Sequence, residues 1–254
     1  MLNYIEYGEK TDAPSLLIVH GLYGSGRNWG AVAKRLAKDR HVVSVDQRNH
    51  GASPWKGTNS YPDMADDLAA FIEAQGGRWD VLGHSMGGKA AMVLALTRPE
   101  AVNRLIVGDI APVSYGHSQL PFIHAMRAVD LERVSKRSDA VEQLAETVEN
   151  PSLRTFFTQS LDVVEKKWKL NLDVLEREMP LIMGFPEIEG RYEGQVLFLS
   201  GGLSDYVLPE HRDKIRGFFP KAAFVKITGA GHWLHAEKPR EFVVSVAAWL
   251  NRDV

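Results

Sequence analysis

The chain contains no cysteine among its 254 residues. Disulfide bonds, catalysis by a thiolate and cysteine-ligated metal sites are therefore excluded. Nothing in the composition indicates adaptation to an oxidising compartment, so a cytoplasmic location is the expectation.

Long apolar runs and a large net charge are also missing. No apolar run approaches the ~20 residues of a membrane span, and the first residues, MLNYIEYGEKTD, lack the basic and apolar regions of a signal peptide. The formal net charge is -2, which offers no electrostatic basis for binding nucleic acid or an anionic membrane surface. We expect neither a nucleic-acid partner nor a membrane span.

What the chain does contain is an alternation of short apolar runs with helical patterns. The runs are apolar at consecutive positions, which is typical of parallel strands covered on both faces. Helices are predicted over residues 63–75 and 242–250 from apolar spacing of three and four. The pattern predicts an α/β fold with a doubly wound, mostly parallel sheet. The strand-like runs are residues 16–20, 42–46, 79–83, 105–109, 196–200 and 223–227.

Between residues 112 and 191 the strand-like runs stop and helical patterns follow one another. Residues 131–148 and 152–164 are predicted to form amphipathic helices, and the basic cluster at 166–169 is interpreted as a solvated helix face. We interpret residues 112–191 as an inserted helical cap. The remaining ranges, 1–111 and 192–254, would form the α/β core.

The stretch VLGHSMGG places Ser85 after a predicted strand and before a helix of small residues. A G-x-S-x-G pentapeptide between a strand and a helix is typical of a nucleophile elbow. Gly83 and Gly87 let neighbouring backbone approach the turn, and the helix directs its positive end at the hydroxyl. The sequence predicts that Ser85 is a catalytic nucleophile rather than a structural turn serine.

A serine nucleophile needs a base, and the best candidate among nine histidines is His232. It lies in the loop TGAGHW, just past the last strand-like run, at the same end of the sheet as Ser85. Structural roles are expected for His20, His50 and His84. His232 and His235 could form an H-x-x-H metal site with Glu237. No third ligand is well placed beside the two histidines, so no metal is predicted.

Two aspartates follow predicted strands, and either one could orient the imidazole and stabilise its charged form. Asp109 closes the run at 105–109, and Asp205 lies in the loop after the run at 196–200. These residues alone leave both candidates open.

An oxyanion hole needs two backbone N–H groups. One would belong to Met86, the residue after the nucleophile. The other would belong to Leu22, in the loop HGLYG that follows the first strand-like run.

Together these motifs resemble the α/β-hydrolase family over essentially the whole chain, in the family's order of nucleophile, acid and histidine. The strings RNHG, GKA, DIAPV and HWLHAEKP are similar in particular to bacterial YbfF-type esterases and the abhydrolase domain-containing protein 11 branch. The resemblance implies an α/β-hydrolase fold with a helical cap. It slightly favours Asp109 as the acid, because the DIAP string is characteristic of this branch. The broader family, however, most often places its acid at the position of Asp205.

The resemblance also implies a carboxylesterase or thioesterase without a cofactor. Its partner would be a small-molecule short acyl ester, with acyl-CoA thioesters among the candidates, cleaved through a Ser-His-Asp triad and an acyl-enzyme. Candidate substrate contacts are Tyr23, His84, Trp168 and Trp233. A carbon–carbon bond hydrolase or a perhydrolase would use the same triad, and a non-catalytic ligand-binding protein is the alternative from another class. The sequence leaves the oligomeric state open.

Overall fold

A seven-stranded β-sheet forms the centre of the computed structural model, which describes residues 1–252. In chain order the strands are β1 (Tyr4–Tyr7), β2 (Leu16–Val19), β3 (Val42–Val45), β4 (Trp79–His84), β5 (Val102–Gly108), β6 (Leu161–Asp162), β7 (Lys167–Trp168), β8 (Gln195–Gly201) and β9 (Ala222–Ile227). The two short strands β6 and β7 pair with each other outside the sheet. The sheet order is β1-β3-β2-β4-β5-β8-β9, and every neighbouring pair is parallel except β1 with β3.

Helices connect the strands and cover both faces of the sheet. In chain order they are α1 (Gly30–Leu36), α2 (Tyr61–Gln75), α3 (Met86–Thr97), α4 (Leu120–Ala128), α5 (Arg137–Leu144), α6 (Pro151–Thr158), α7 (Leu172–Arg177), α8 (Met179–Met183), α9 (Arg212–Phe218), α10 (Leu234–Glu237) and α11 (Pro239–Leu250). The core on one face includes α2 and α3, and the core on the other includes α1 and α11. In residues 1–252, no helix has the length and apolar character needed to cross a membrane.

The doubly wound, mostly parallel sheet expected from the sequence is confirmed. Every residue of β2, β3 and β4 is buried, because helices cover both faces, and this explains their consecutive apolar residues. The sequence pattern misses β1, an antiparallel edge strand that alternates between exposed and half-buried residues.

Residues 112–191, here termed the inserted segment, lie between β5 and β8 and differ locally from the sequence prediction. The single helix predicted over 131–148 is wrong. A 3₁₀ turn at Leu131–Arg133 comes first, and α5 begins only at Arg137. The physical reason is local capping, because the carboxylate of Asp139 accepts the backbone N–H of Lys136 at 3.1 Å and so defines the helix start.

The helix predicted over 152–164 is also too long, since α6 ends at Thr158 and a small hairpin of β6 and β7 follows. The carboxylate of Asp162 accepts the N–H of Glu165 in the hairpin turn, and Lys166 has a left-handed φ of 48°. The basic cluster at 166–169 therefore lies on a hairpin and not on a helix face.

Two glycines flank the turn between β4 and α3, where backbone segments pack closely against each other. A Cβ atom on Gly83 would lie 2.2 Å from the carbonyl oxygen of Gly87. A Cβ atom on Gly87 would lie 2.4 Å from the carbonyl oxygens of Val19 and His20 in and after β2. Neither position has room for a side chain, so α3 starts in direct contact with the sheet.

Replacing Gly87 with alanine should lower the free energy of unfolding by about 1–3 kcal/mol, because the new methyl group must push the end of β2 away. Urea unfolding measures this change. The control is Gly217→Ala in α9, where an added Cβ meets nothing within 4 Å. That substitution should be neutral or stabilising by up to ~1 kcal/mol, because alanine favours a helix. Equal destabilisation of both variants would contradict the steric account.

Candidate active site

Ser85 occupies the sharp turn between β4 and α3. Its φ of 53° and ψ of -122° lie in a region that residues with a side chain rarely adopt, and such strain is concentrated at functional sites. The N–H of Ser85 donates to the carbonyl of Gly108 at 2.9 Å, which fixes the turn against the end of β5. Its hydroxyl stands at the amino terminus of α3, where the helix dipole favours negative charge.

His232 lies in the loop after β9, with its ring against Ser85. The Nε2 atom is 3.1 Å from the Ser85 Oγ. The ring of Tyr206 stacks on the imidazole with centroids 4.0 Å apart. The loop itself is held by His84, whose Nε2 donates to the carbonyl of His232 at 2.8 Å. The imidazole is therefore positioned to accept the hydroxyl proton.

Asp109 follows β5, and its side chain is fully buried. Its Oδ2 lies 2.8 Å from Nδ1 of His232. The N–H of Gly201 donates to Oδ1 at 2.9 Å, and the hydroxyl of Ser204 donates to Oδ2. A carboxylate held in this way accepts the Nδ1–H, which selects the tautomer whose Nε2 is free to take a proton.

The two candidate acids occupy different environments in the structure. Asp109 contacts His232, whereas Asp205 is exposed. The second side chain bound to the Asp109 carboxylate is that of Ser204, the residue before Asp205. Sequence reasoning missed Ser204, and its only signal was its place in a loop after a strand.

The two residues expected to supply the oxyanion donors, Leu22 and Met86, belong to chain segments next to Ser85. Met86 follows Ser85 directly, and the loop of Leu22 is brought close by Gly21, on which a Cβ would lie 3.2 Å from the Cβ of Ser85. Within residues 1–252, neither N–H has an intramolecular hydrogen-bond partner. Two free donors beside a hydroxyl are an arrangement that can stabilise an oxyanion.

Four further imidazoles lie around this arrangement: those of His20, His50 and His84 are buried, and that of His235 is half-buried. Burial lowers the pKa of His50 to about 3, and the nearby ring of His20 adds to the effect. Burial also lowers the pKa of His84 to about 3, helped by the neighbouring His232. The pKa values of His20 and His235 are lowered by burial as well. These four rings are therefore neutral near pH 7.

The side chains considered for a metal site have other partners. The ring of His235 stacks on Trp29 with centroids 4.1 Å apart. The carboxylate of Glu237 accepts the N–H of Gly231 at 2.6 Å and so supports the loop of His232.

A cavity of about 250 Å³ lies beside Ser85. Three of the four predicted substrate contacts line it, namely Tyr23, His84 and Trp233. The fourth, Trp168, does not line this cavity, because its indole is buried in the inserted segment and donates to the carbonyl of Met126 at 2.9 Å. The inserted segment supplies one wall with Phe122, Leu153, Phe156, Phe157, Ile182 and Met183.

Lys89 of α3 also lines the cavity, and sequence reasoning did not identify it as a site residue. Its Nζ donates to the carbonyls of Met183 and Gly184 and lies 4.8 Å from the ring centre of Tyr115. Burial lowers the pKa of Lys89 to about 7. The contact ties the helix of the elbow to the inserted segment.

Comparison with known proteins agrees with the fold. The model of the alpha/beta hydrolase family matches residues 16–246. The chain therefore belongs to the α/β hydrolase family and is an enzyme.

The resemblance to the two branches is confirmed by individual relatives. The Mus musculus protein named sn-1-specific diacylglycerol lipase ABHD11 is 42% identical over 248 residues, which cover 93% of this chain and 81% of the mouse protein. Esterase YbfF of Escherichia coli (strain K12) is 36% identical over 240 residues, covering 93% and 92%. A solved structure of a marine microorganism esterase has a TM-score of 0.92 and 38% identity, covering 97% and 98% of the two chains.

A fluorophosphonate reagent should modify Ser85, and Asp109→Asn should slow this modification by about 10³-fold or more. An amide in place of the carboxylate no longer stabilises the charged imidazole and favours the wrong tautomer. The matched control, Asp205→Asn, should leave the rate nearly unchanged because Asp205 is exposed. Mass spectrometry of timed samples measures both rates. The opposite ranking, in two folded variants, would contradict the geometry.

The buried neutral histidines should make the fold sensitive to mild acid. His50 and His84 titrate near 3 in the folded chain and near 6.5 when unfolded. Lowering the pH from 6.5 to 5 therefore protonates them only in the unfolded chain and destabilises the fold. At 1.36 kcal/mol per pKa unit, the two together should remove about 3 kcal/mol over this window.

Urea unfolding between pH 5 and 6.5 tests this, because the whole window lies above the ordinary pKa of carboxyl groups. A free energy of unfolding that stays constant over the window would show that the buried rings do not stay neutral.

Proposed function

We propose that this enzyme is a serine esterase that hydrolyses short acyl esters through Ser85, His232 and Asp109. The observation that carries the proposal is the continuous hydrogen-bond chain from the Ser85 Oγ to Nε2 of His232 (3.1 Å) and from Nδ1 to the Asp109 carboxylate (2.8 Å). The names of the mouse and Escherichia coli relatives, a lipase and an esterase, support an ester as the bond that is cleaved.

In the first half-reaction, His232 takes the proton of the Ser85 hydroxyl as Oγ attacks the ester carbonyl. The imidazole becomes positively charged, and the buried carboxylate of Asp109 stabilises that charge. The tetrahedral intermediate then expels the alcohol, which receives the proton from Nε2. Ser85 is left acylated.

The negative charge of the intermediate would be held by the N–H groups of Leu22 and Met86. Both are backbone donors in fixed positions, so they stabilise the developing oxyanion without reorganisation. In the second half-reaction, water replaces the alcohol, and His232 activates it in the same way. The acid product leaves and the serine hydroxyl is restored.

The cavity supports a short acyl group. Its volume of about 250 Å³ is below the ~300–1,000 Å³ of pockets that hold drug-sized ligands. Tyr23, His84 and Trp233 would contact the substrate there. The inserted segment would act as a cap on the core of residues 1–111 and 192–254, since its apolar side chains form one wall of the cavity.

The proposed substrate class includes more than one kind of leaving group. A thiol leaves by the same proton transfer as an alcohol, so acyl-CoA thioesters fall within the proposed substrate class. The mouse relative is named for a diacylglycerol substrate, which is therefore one of the esters to compare. The cytoplasmic location expected from the sequence stays a prediction.

Ser85→Ala should lower turnover of a short p-nitrophenyl ester by about 10⁴-fold or more, since the nucleophile is lost. Ser245→Ala is the matched control, because Ser245 is half-buried on α11 and its hydroxyl donates to the carbonyl of Glu241 within that helix. That control should keep wild-type activity. Release of p-nitrophenol measures both, and a series of acyl lengths with alcohol or CoA leaving groups defines the substrate class.

Equal hydrolysis by the wild type and Ser85→Ala would contradict the proposal. Binding of esters with no turnover by either protein would instead favour a ligand-binding role. Cleavage confined to carbon–carbon bonds, or to peracid formation, would favour the other reactions of the same triad.

A further inference from the structure

Tyr23, the residue after Leu22, has a left-handed backbone with φ of 64°. Residues with a bulky side chain rarely adopt this region, and glycine is the usual occupant. Tyr23 is also only 3% exposed. Its conformation must be maintained by specific contacts, because the residue itself disfavours it.

This conformation belongs to a turn that runs from Gly21 to Gly24. The N–H of Gly24 donates to the carbonyl of Gly21 at 3.1 Å, so Tyr23 is the third of four residues, where several turn types require a positive φ. The carbonyl of Gly21 and the N–H of Leu22 share one planar peptide. The turn therefore sets the direction of the Leu22 N–H.

Three hydrogen bonds hold Tyr23 in place. Its N–H donates to Nε2 of His50 at 3.2 Å. Its carbonyl accepts from the hydroxyl of Ser160 at 2.8 Å, and its phenol donates to the carbonyl of Gln119 at 2.9 Å. Burial raises the pKa of Tyr23, so the phenol stays a donor. Ser160 and Gln119 both belong to the inserted segment.

Ser160 is itself a fixed donor. It is 4% exposed, and its carbonyl accepts the N–H of Lys169 from the end of the β6–β7 hairpin at 2.8 Å. The ring of Phe157, in α6, packs edge-on against the Tyr23 ring with centroids 5.5 Å apart. The inserted segment thus contacts the backbone, the hydroxyl and the ring of Tyr23.

The third partner, His50, is tied to the inserted segment as well. The N–H of the next residue, Gly51, donates to the carbonyl of Lys169 at 2.8 Å. Nδ1 of His50 donates to the carbonyl of Arg48 at 2.9 Å, which leaves Nε2 as the acceptor that the turn needs. The RNHG string, residues 48–51, therefore has a structural role, because its His50 accepts the N–H of Tyr23. The string is distant from the proposed triad in the sequence.

We infer that the inserted segment positions the oxyanion donor of Leu22 by holding Tyr23 in its left-handed conformation. The inference rests on the proposed function, in which the Leu22 N–H stabilises the oxyanion. Tyr23 is a positioning residue, and Ser160 and Gln119 act through it. The inserted segment therefore contributes to transition-state stabilisation as well as to the cavity wall.

Ser160→Ala tests this, because it removes the hydroxyl that holds the Tyr23 carbonyl and leaves the triad untouched. We expect kcat for a short ester to fall about tenfold, a part of the 10²–10³-fold loss on deleting an oxyanion donor. KM should stay nearly unchanged. An arylboronic acid, which forms a tetrahedral adduct with the serine, should bind more weakly by the same factor. Tyr23→Phe, which keeps the ring and loses the hydroxyl that donates to Gln119, should lower kcat and the affinity for the boronic acid by a similar factor.

Thr158→Val is the matched control. Thr158 is buried in the same segment, but its hydroxyl donates to the carbonyl of Thr155 within α6. This variant should keep both kcat and the affinity for the boronic acid. Ser160→Thr retains a hydroxyl at the tested position and should recover most of the lost kcat.

Rates are expressed per active site, counted by fluorophosphonate modification taken to completion. A variant that is partly unfolded then shows fewer sites and not a lower kcat. If Ser160→Ala or Tyr23→Phe loses no more kcat than Thr158→Val, the inference is wrong and the proposed function stands. A raised KM with normal kcat would also overturn it, because the segment would then only bind substrate. Retained activity in Ser85→Ala would contradict the proposed function itself.

Discussion

At Gly83 and Gly87 the chain has no room for a Cβ atom, and this steric constraint determines where the rest of the site lies. The close approach of the two backbones turns the chain sharply between β4 and α3. Ser85, in this turn, therefore lies at the carboxyl edge of the parallel sheet. The loops that carry Leu22, Asp109 and His232 follow β2, β5 and β9 at the same edge, so parallel strands bring distant parts of the chain to one point.

Backbone strain is concentrated around that point. Among residues 1–252, the non-glycine residues with a left-handed backbone are Tyr23, Asn49, Ser85, Asp109 and Lys166. The first four lie in the site or in the network beside it, and each such conformation costs of order 1–3 kcal/mol. Hydrogen bonds from neighbouring strands and from the inserted segment offset this cost. The same contacts give the proposed catalytic groups their fixed directions.

The parts of the molecule that the sequence predicts are those with a local physical cause. Buried parallel strands require consecutive apolar residues, and the elbow requires glycines around Ser85. The choice between Asp109 and Asp205 is different, because both follow neighbouring strands and only the path of the loop brings one carboxylate to His232. The conformation of Tyr23 depends on contacts with Gln119 and Ser160, 96 and 137 positions away, for which a single sequence has no periodic signal.

If Ser85 is the nucleophile, as proposed, it becomes acylated during turnover. The most direct measurement mixes the enzyme with p-nitrophenyl acetate, stops the reaction with acid in the pre-steady state and locates the acetyl group by peptide mass spectrometry. We expect one acetyl group on the peptide that contains Ser85, formed at a rate at least equal to kcat. Turnover of the ester with no acetylated peptide, or with the acetyl group on a different residue, would contradict it.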